Sequence, residues 1–300
     1  VTVVEGRSGM IVGQIAGFPG GTHGIAIATA AGRGYTDDGK AGMAASFDLK
    51  TLQVAKQLKA NDDADAVAFD PVSGHVFVVD GDPGLLTVID PKTDSVVGSA
   101  SLGSKLEYAV SGGNGELYVN SVEKHEIVRV NTATNQVDAH WPMAACERPH
   151  GLAIDTGTHL LFSGCANSTL TVVNAQSGAV VANVPIGKGS DAVVFDPRRK
   201  LILSANGQDG TLSVIHEDSA TAFTSLATIK TAVSARTLGI DTETGRLYLA
   251  AADVDPNAAA PAPAPGAAPA PGTATAPVAV PSRPRYLPGS LKLLFMDPQP

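Results

Sequence analysis

His150-Gly151-Leu152-Ala153-Ile154-Asp155, Leu160-Leu161-Phe162-Ser163, Leu170-Thr171-Val172-Val173 and Val180-Val181-Ala182-Asn183-Val184 are four short apolar runs inside the single stretch from His150 to Gly189. Thr156-Gly157-Thr158, Gly164 to Ser168 and Asn174 to Gly178 separate them. Short runs rich in Val, Ile and Leu, bounded by Gly, Asp and Asn, read as β-strands. No part of the unit carries the roughly eleven residues at helical spacing that a helix needs.

The opening run recurs through the chain as His23-Gly24-Ile25-Ala26-Ile27, Asp65-Ala66-Val67-Ala68-Phe69, Glu107-Tyr108-Ala109-Val110, Asp191-Ala192-Val193-Val194-Phe195 and Arg236-Thr237-Leu238-Gly239-Ile240. With His150 in its place, the first residues lie 42, 42, 43, 41 and 45 positions apart. A four-strand unit repeating at that period predicts an all-β fold, a β-propeller of four-stranded blades. Such sheets bury both faces against their neighbours, so their strands are apolar throughout.

Five whole units run from His23 to about Ala235, and a sixth begins at Arg236. Before them, Thr2-Val3-Val4-Glu5 and Ile11-Val12-Gly13-Gln14 align with Thr87-Val88-Ile89-Asp90 and Val96-Val97-Gly98-Ser99, the third and fourth strands of a unit. The chain therefore starts inside a blade, which predicts a seven-bladed type with an incomplete first blade. The competing reading is a six-bladed closed ring in which Thr2 to Gln14 pairs with Leu247 to Ala250. Residues 254–289 form an insert that is almost wholly Ala and Pro between Pro256 and Pro281. That composition behaves as a polyproline-type tether and cannot build a core. Ser290 to Met296 then resumes strand character in the third-strand slot, so residues 1–300 read as one propeller domain with an insert in its last blade.

Hydrophobic residues are 44% of the 300, ample for a core, and the 5% aromatic share suits closely stacked sheets. The net charge of −8 argues against a nucleic-acid surface, which shows a basic field. No apolar run is long enough to span a bilayer. No signal peptide begins at Val1, as expected of a processed chain or of one whose beginning lies upstream. The serine-hydrolase elbow, the Walker loop, the dinucleotide fingerprint and His-Glu-x-x-His are all missing from the sequence. Propeller enzymes gather their residues from separate blades and need none of these.

Because the first strand of each blade lines the central channel, the residue at its start faces the channel mouth. Those residues are His23, Asp65, Glu107, His150, Asp191 and Arg236, six ionisable side chains in six equivalent places. Three readings stay open. His23, His150, Asp65, Asp191 and Glu107 suit a divalent metal ion. The full set suits a polar or zwitterionic small molecule, with Arg236 clamping a carboxylate. Alternating charges can also simply pair around a water-filled channel. The functional classes that follow are a propeller binding a small ligand, metal ion or partner protein at its mouth, a metal-assisted lactonase or lyase, and an interaction scaffold docking a protein on its loop face. Asp37, Asp38, Asp80, Asp82, Asn120, Asn167, Asn206, Asp209 and Asp253 fall in or beside the loops on that face, where turn chemistry accounts for most of them. His75, His125, His140, His159 and His216 read as turn or edge residues, and Trp141 as a packing aromatic.

Tyr118-Val119-Asn120, Asp65-Ala66-Val67, Asn206-Gly207 and His216-Glu217-Asp218-Ser219 resemble the YVTN-type β-propeller repeat family of bacterial periplasmic and surface proteins. The resemblance covers the chain apart from the Ala/Pro tract. It implies seven blades, a further stretch of sequence upstream, and a periplasmic or secreted location; it implies no particular activity. Cys146 and Cys165, the only cysteines, fall at the channel-mouth end of one blade. A disulfide, a buried thiol pair and a soft metal site with His150 are the alternatives, and the exported character of the resembled family favours the disulfide.

Overall fold

The computed structural model describes residues 1–256 and 285–298. The strands form six radial blades, five of four antiparallel strands and a sixth of three. Blade 4 realises the opening stretch: its strands are Pro149–Asp155, Leu160–Cys165, Thr169–Asn174 and Val180–Pro185, paired in sequence order. In blade 6, Thr237–Ile240 pairs with Leu247–Ala251, which pairs with Lys292–Met296 in the third-strand slot. The Ala/Pro tract between them falls almost entirely outside the described residues.

Six blades is the count of the competing reading, and it corrects the seven-bladed one. The reason lies in the N-terminal hairpin. Thr2–Val4 and Ile11–Gln14 pair only with each other and make a two-stranded sheet, with no first or second strand among the described residues. Nor does the hairpin pair with Leu247 to Ala250, because Lys292–Met296 holds that edge. It instead sits between blades 6 and 1. The Tyr248 hydroxyl donates to the Gly6 carbonyl at 3.2 Å, and Arg246 Nη1 donates to the same carbonyl at 3.0 Å. On its other side Leu52 packs over Gly13 so closely that a Cβ there would lie 2.2 Å from its methyl carbon.

Five apolar clusters fill the five junctions from blade 1/2 to blade 5/6. Fully burying one Leu or Val side chain contributes about 1.5–3 kcal/mol, so these junctions supply most of the fold's stability. Polar braces tie neighbouring blades at the ends of their first strands, opposite the channel mouth. The Asp70 carboxylate of blade 2 accepts hydrogen bonds from Ser111 and Thr132 of blade 3 at 2.6 and 2.8 Å. Lys200 of blade 5 reaches Asp155 of blade 4 at 2.6 Å. Cys146 and Cys165 are joined in a disulfide, fully buried beside Met143 and Leu152. Trp141 stacks on Tyr118 in the same cluster. Among the described residues no helix is long and apolar enough to cross a membrane.

Candidate functional site at the channel mouth

The six residues at the starts of the first strands meet in one continuous arc, in chain order. His23 Nδ1 lies 3.5 Å from Asp65 Oδ1. The Asp65 and Glu107 carboxyls come next to each other along the arc, close enough for each to act on the other's charge. Glu107 Oε1 lies 3.5 Å from His150 Nδ1, His150 Nδ1 lies 4.0 Å from Asp191 Oδ1, and Asp191 Oδ1 lies 3.5 Å from Arg236 Nη1.

Local backbone puts them there. In blade 2 Ala64 pairs with Asp80 and Ala66 with Val79, so Asp65 between them is a bulge residue without a partner. The same register break falls at Glu107, between Leu106 and Ala109, at His150, between Pro149 and Leu152, and at Asp191, between Ser190 and Ala192. His23 and Arg236 precede their ladders altogether. A bulge re-aims the extra side chain away from the sheet, here into the channel. The sequence marks where the strands begin, but nothing in it announces the bulges.

Glycine sets the spacing. His23 and His150 are each followed by Gly, and both glycines lie against the backbone of the next blade. A Cβ on Gly24 would meet Val67 N at 2.4 Å, and one on Gly151 would meet Asp191 O at 2.7 Å. Only a residue without a side chain allows neighbouring first strands so close, and that approach brings Asp65 to His23 and Asp191 to His150.

Several of the loop-face Asp and Asn residues do more than turn the chain. Asp37, Asp38, Asp80, Asn120 and Asn206 are buried at the ends of second strands. Asp37 accepts hydrogen bonds from the His23 and Gly24 backbone amides at 2.9 and 2.6 Å, and lies 3.0 Å from His23 Nδ1. It fixes the ring and its backbone together. Asn120 Nδ2 donates to the His150 carbonyl at 2.8 Å and the Gly151 carbonyl at 3.2 Å, across the blade boundary. Tyr108 also lines the mouth. Its hydroxyl titrates above the usual range because it is desolvated and faces Asp191 and Asp65. Sequence reading passed over Asp37 and Tyr108 as site residues, since each looks like an ordinary turn or strand residue until the blades are assembled.

The arc is electrostatically uneven. Burial, then the neighbouring Glu107 carboxylate, push the Asp65 carboxyl up to about 7, against a smaller downward pull from His23. Burial pushes the Glu107 carboxyl up, but His150, Asp65 and Lys105 together outweigh it and hold that carboxyl below the ordinary range. Below about pH 7 the proton of the pair thus resides on Asp65. His150 Nδ1 is buried without a hydrogen bond of good geometry. The mouth opens on a cavity of about 620 Å³ that runs between blades 6 and 1.

The rim side chains face one another in sequence, His150 between Glu107 and Asp191, and Asp191 between His150 and Arg236. Among the described residues, no three His, Cys, Asp or Glu side chains are grouped so that they could hold a metal ion. The disulfide removes the soft site that Cys146, Cys165 and His150 would have made. The other histidines stand apart from the rim: His125 and His159 occupy turns in the left-handed region, His140 lies 2.9 Å from Glu126 and His216 lies 2.7 Å from Asp218.

No protein-family model matches this chain, and no curated protein matches its sequence. Among solved structures, a chain of Kuenenia stuttgartiensis hydrazine synthase is similar at a TM-score of 0.65 and 15% identity, over 80% of this chain and 77% of that one. At that identity the likeness is one of fold. The propeller expected from the YVTN-type resemblance is present, and no family match supports the narrower assignment.

Proposed function

We propose that this propeller binds a small zwitterionic or cationic molecule at its channel mouth, the cationic group received by Asp65 and Glu107 and a carboxylate, where the ligand has one, by Arg236. The carrying observation is the juxtaposition of two partly buried carboxyls in the arc between His23 and His150, with Asp65 held toward its neutral form by burial and then by the Glu107 charge. Two acids placed together at a cavity mouth are destabilised by their own repulsion, and an incoming ammonium group relieves it while displacing the shared proton. Arg236 supports the second half of the reading. Its guanidinium is half-buried with Asp191 as its ion-pair partner at 3.5 Å, which leaves fork positions for a carboxylate. The buried disulfide supports an oxidising compartment, and with it an exported protein.

The test is calorimetric titration with glycine, putrescine and succinate as probes, on the full chain and on Asp65→Asn and Glu107→Gln. Glycine or putrescine is expected to bind and to lose at least about tenfold in affinity in either variant, the scale of a lost charge-assisted contact. Binding of succinate alone, or equal binding to all three proteins, contradicts the assignment. Failure of every probe returns the rim to a set of charges that merely pair with each other.

A further inference from the structure

The junction between blades 6 and 1 differs from the other five. At the other five junctions the residue two places beyond the rim residue packs against the preceding blade: Ala109 (7% exposed), Leu152 (1%), Val193 (2%) and Leu238 (8%) are buried, and Val67 is partly buried. Ile25, the same position of blade 1, is 51% exposed, and Ile27 beyond it is 45% exposed. The opposite wall is equally bare. A Cβ built on Gly239 would meet nothing within 4 Å, whereas Cβ atoms on Gly24 and Gly151 would collide with the next blade. Tyr248 and Leu293 complete that wall of the cavity. At the outer end stands the N-terminal hairpin, anchored to both walls through Gly6 and Gly13 as described. Its strand Thr2–Val4 aligns with third strands, and each of those pairs on both sides in the four-stranded blades. Here, among the described residues, Thr2–Val4 pairs on one side only.

The space therefore has two apolar walls at blade spacing and an open sheet edge at its outer end. The open edge faces where the first and second strands of a blade would lie. We propose that it receives a β-hairpin of polypeptide, two antiparallel strands adding to the free edge of Thr2–Val4, with the small and β-branched side chains that the first and second strands of blades 2 to 5 carry. The occupant is read from continuity with the five established junctions. Main-chain pairing supplies the affinity, and the alternating apolar walls set the register. The residue at the start of its first strand would stand between Arg236 and His23, the two ends of the rim arc. This proposal does not rest on the zwitterion reading.

The test uses a synthetic peptide copying Asp63 to Gly81, the inner two strands of blade 2, labelled with a fluorophore and added to the full chain. Saturable binding at micromolar concentration is expected, with hydrogen-exchange protection appearing at Thr2, Val3 and Val4. The double variant Ile25→Lys, Ile27→Lys changes two exposed side chains and should fold normally while weakening the peptide by at least about tenfold. A scrambled peptide binding equally well, no saturable binding, or binding indifferent to the double variant overturns the proposal. So does a concentration-dependent dimer in which the same three amides are protected without peptide, since a second copy would then be the occupant.

Discussion

Asp65 is the residue on which the site's chemistry turns. Its neutral form is favoured in the folded protein, so the sign of its effect on stability is fixed. The stabilisation it carries is fully present below about pH 4, where even the unfolded chain is protonated, and it is lost as pH rises through the folded value of about 7. Asp65→Asn keeps a neutral side chain at every pH. It is expected to leave the melting temperature unchanged near pH 4 and to raise it at pH 8 by about 2–4 °C, the shift that roughly 1 kcal/mol produces in a domain of this size. A thermal melt at the two pH values checks it. The same proton competes with a cationic ligand, so putrescine affinity should fall by up to about tenfold for each unit below pH 7, and titrations across pH 5 to 8 measure the slope.

At the scale of elements, the close approach of first strands and the buried cross-link carry the site. A methyl group on Gly151 would press on Val193 N at 2.6 Å and Asp191 O at 2.7 Å, backbone atoms with nowhere to move. Gly151→Ala should destabilise by about 1–3 kcal/mol, as overpacking does, and should separate Asp191 from His150; chemical denaturation reads the first effect and a crystal structure of the variant the second. Asn120→Ala strips the His150 and Gly151 carbonyls of their donor and should cost about 1–3 kcal/mol by the same measurement. The disulfide closes a loop of 19 residues. Opening it by Cys146→Ser with Cys165→Ser should lower stability by about 3 kcal/mol, a value set by loop length.

Viewed whole, the molecule is a ring of repeats whose sequence announces the fold plainly and the site only in part. The period fixed by Val67, Leu152, Val193 and their equivalents was enough to place strands, blades and the six rim residues, because each blade buries the same positions against its neighbour. Blade number was not legible. Thr2 to Gln14 carries the pattern of outer strands, yet pattern alone does not say whether inner strands accompany it. The bulges at Asp65, Glu107, His150 and Asp191 were hidden as well, since a bulge answers to the register of two strands and leaves no mark in the composition of either. An unfilled junction also predicts uneven opening. Hydrogen exchange should be fastest in the N-terminal hairpin and in blade 6, whose outer faces lack a covering partner, and slowest where blades 3 and 4 enclose the disulfide. The central claim is that the ring brings separate blades together at one mouth so that Asp65 and Glu107 share a proton. Carboxyl-carbon NMR titration of Asp65 in the intact protein tests it: a midpoint near 7 that shifts down in Glu107→Gln is the predicted result, and a midpoint near 4 indifferent to Glu107 would contradict it.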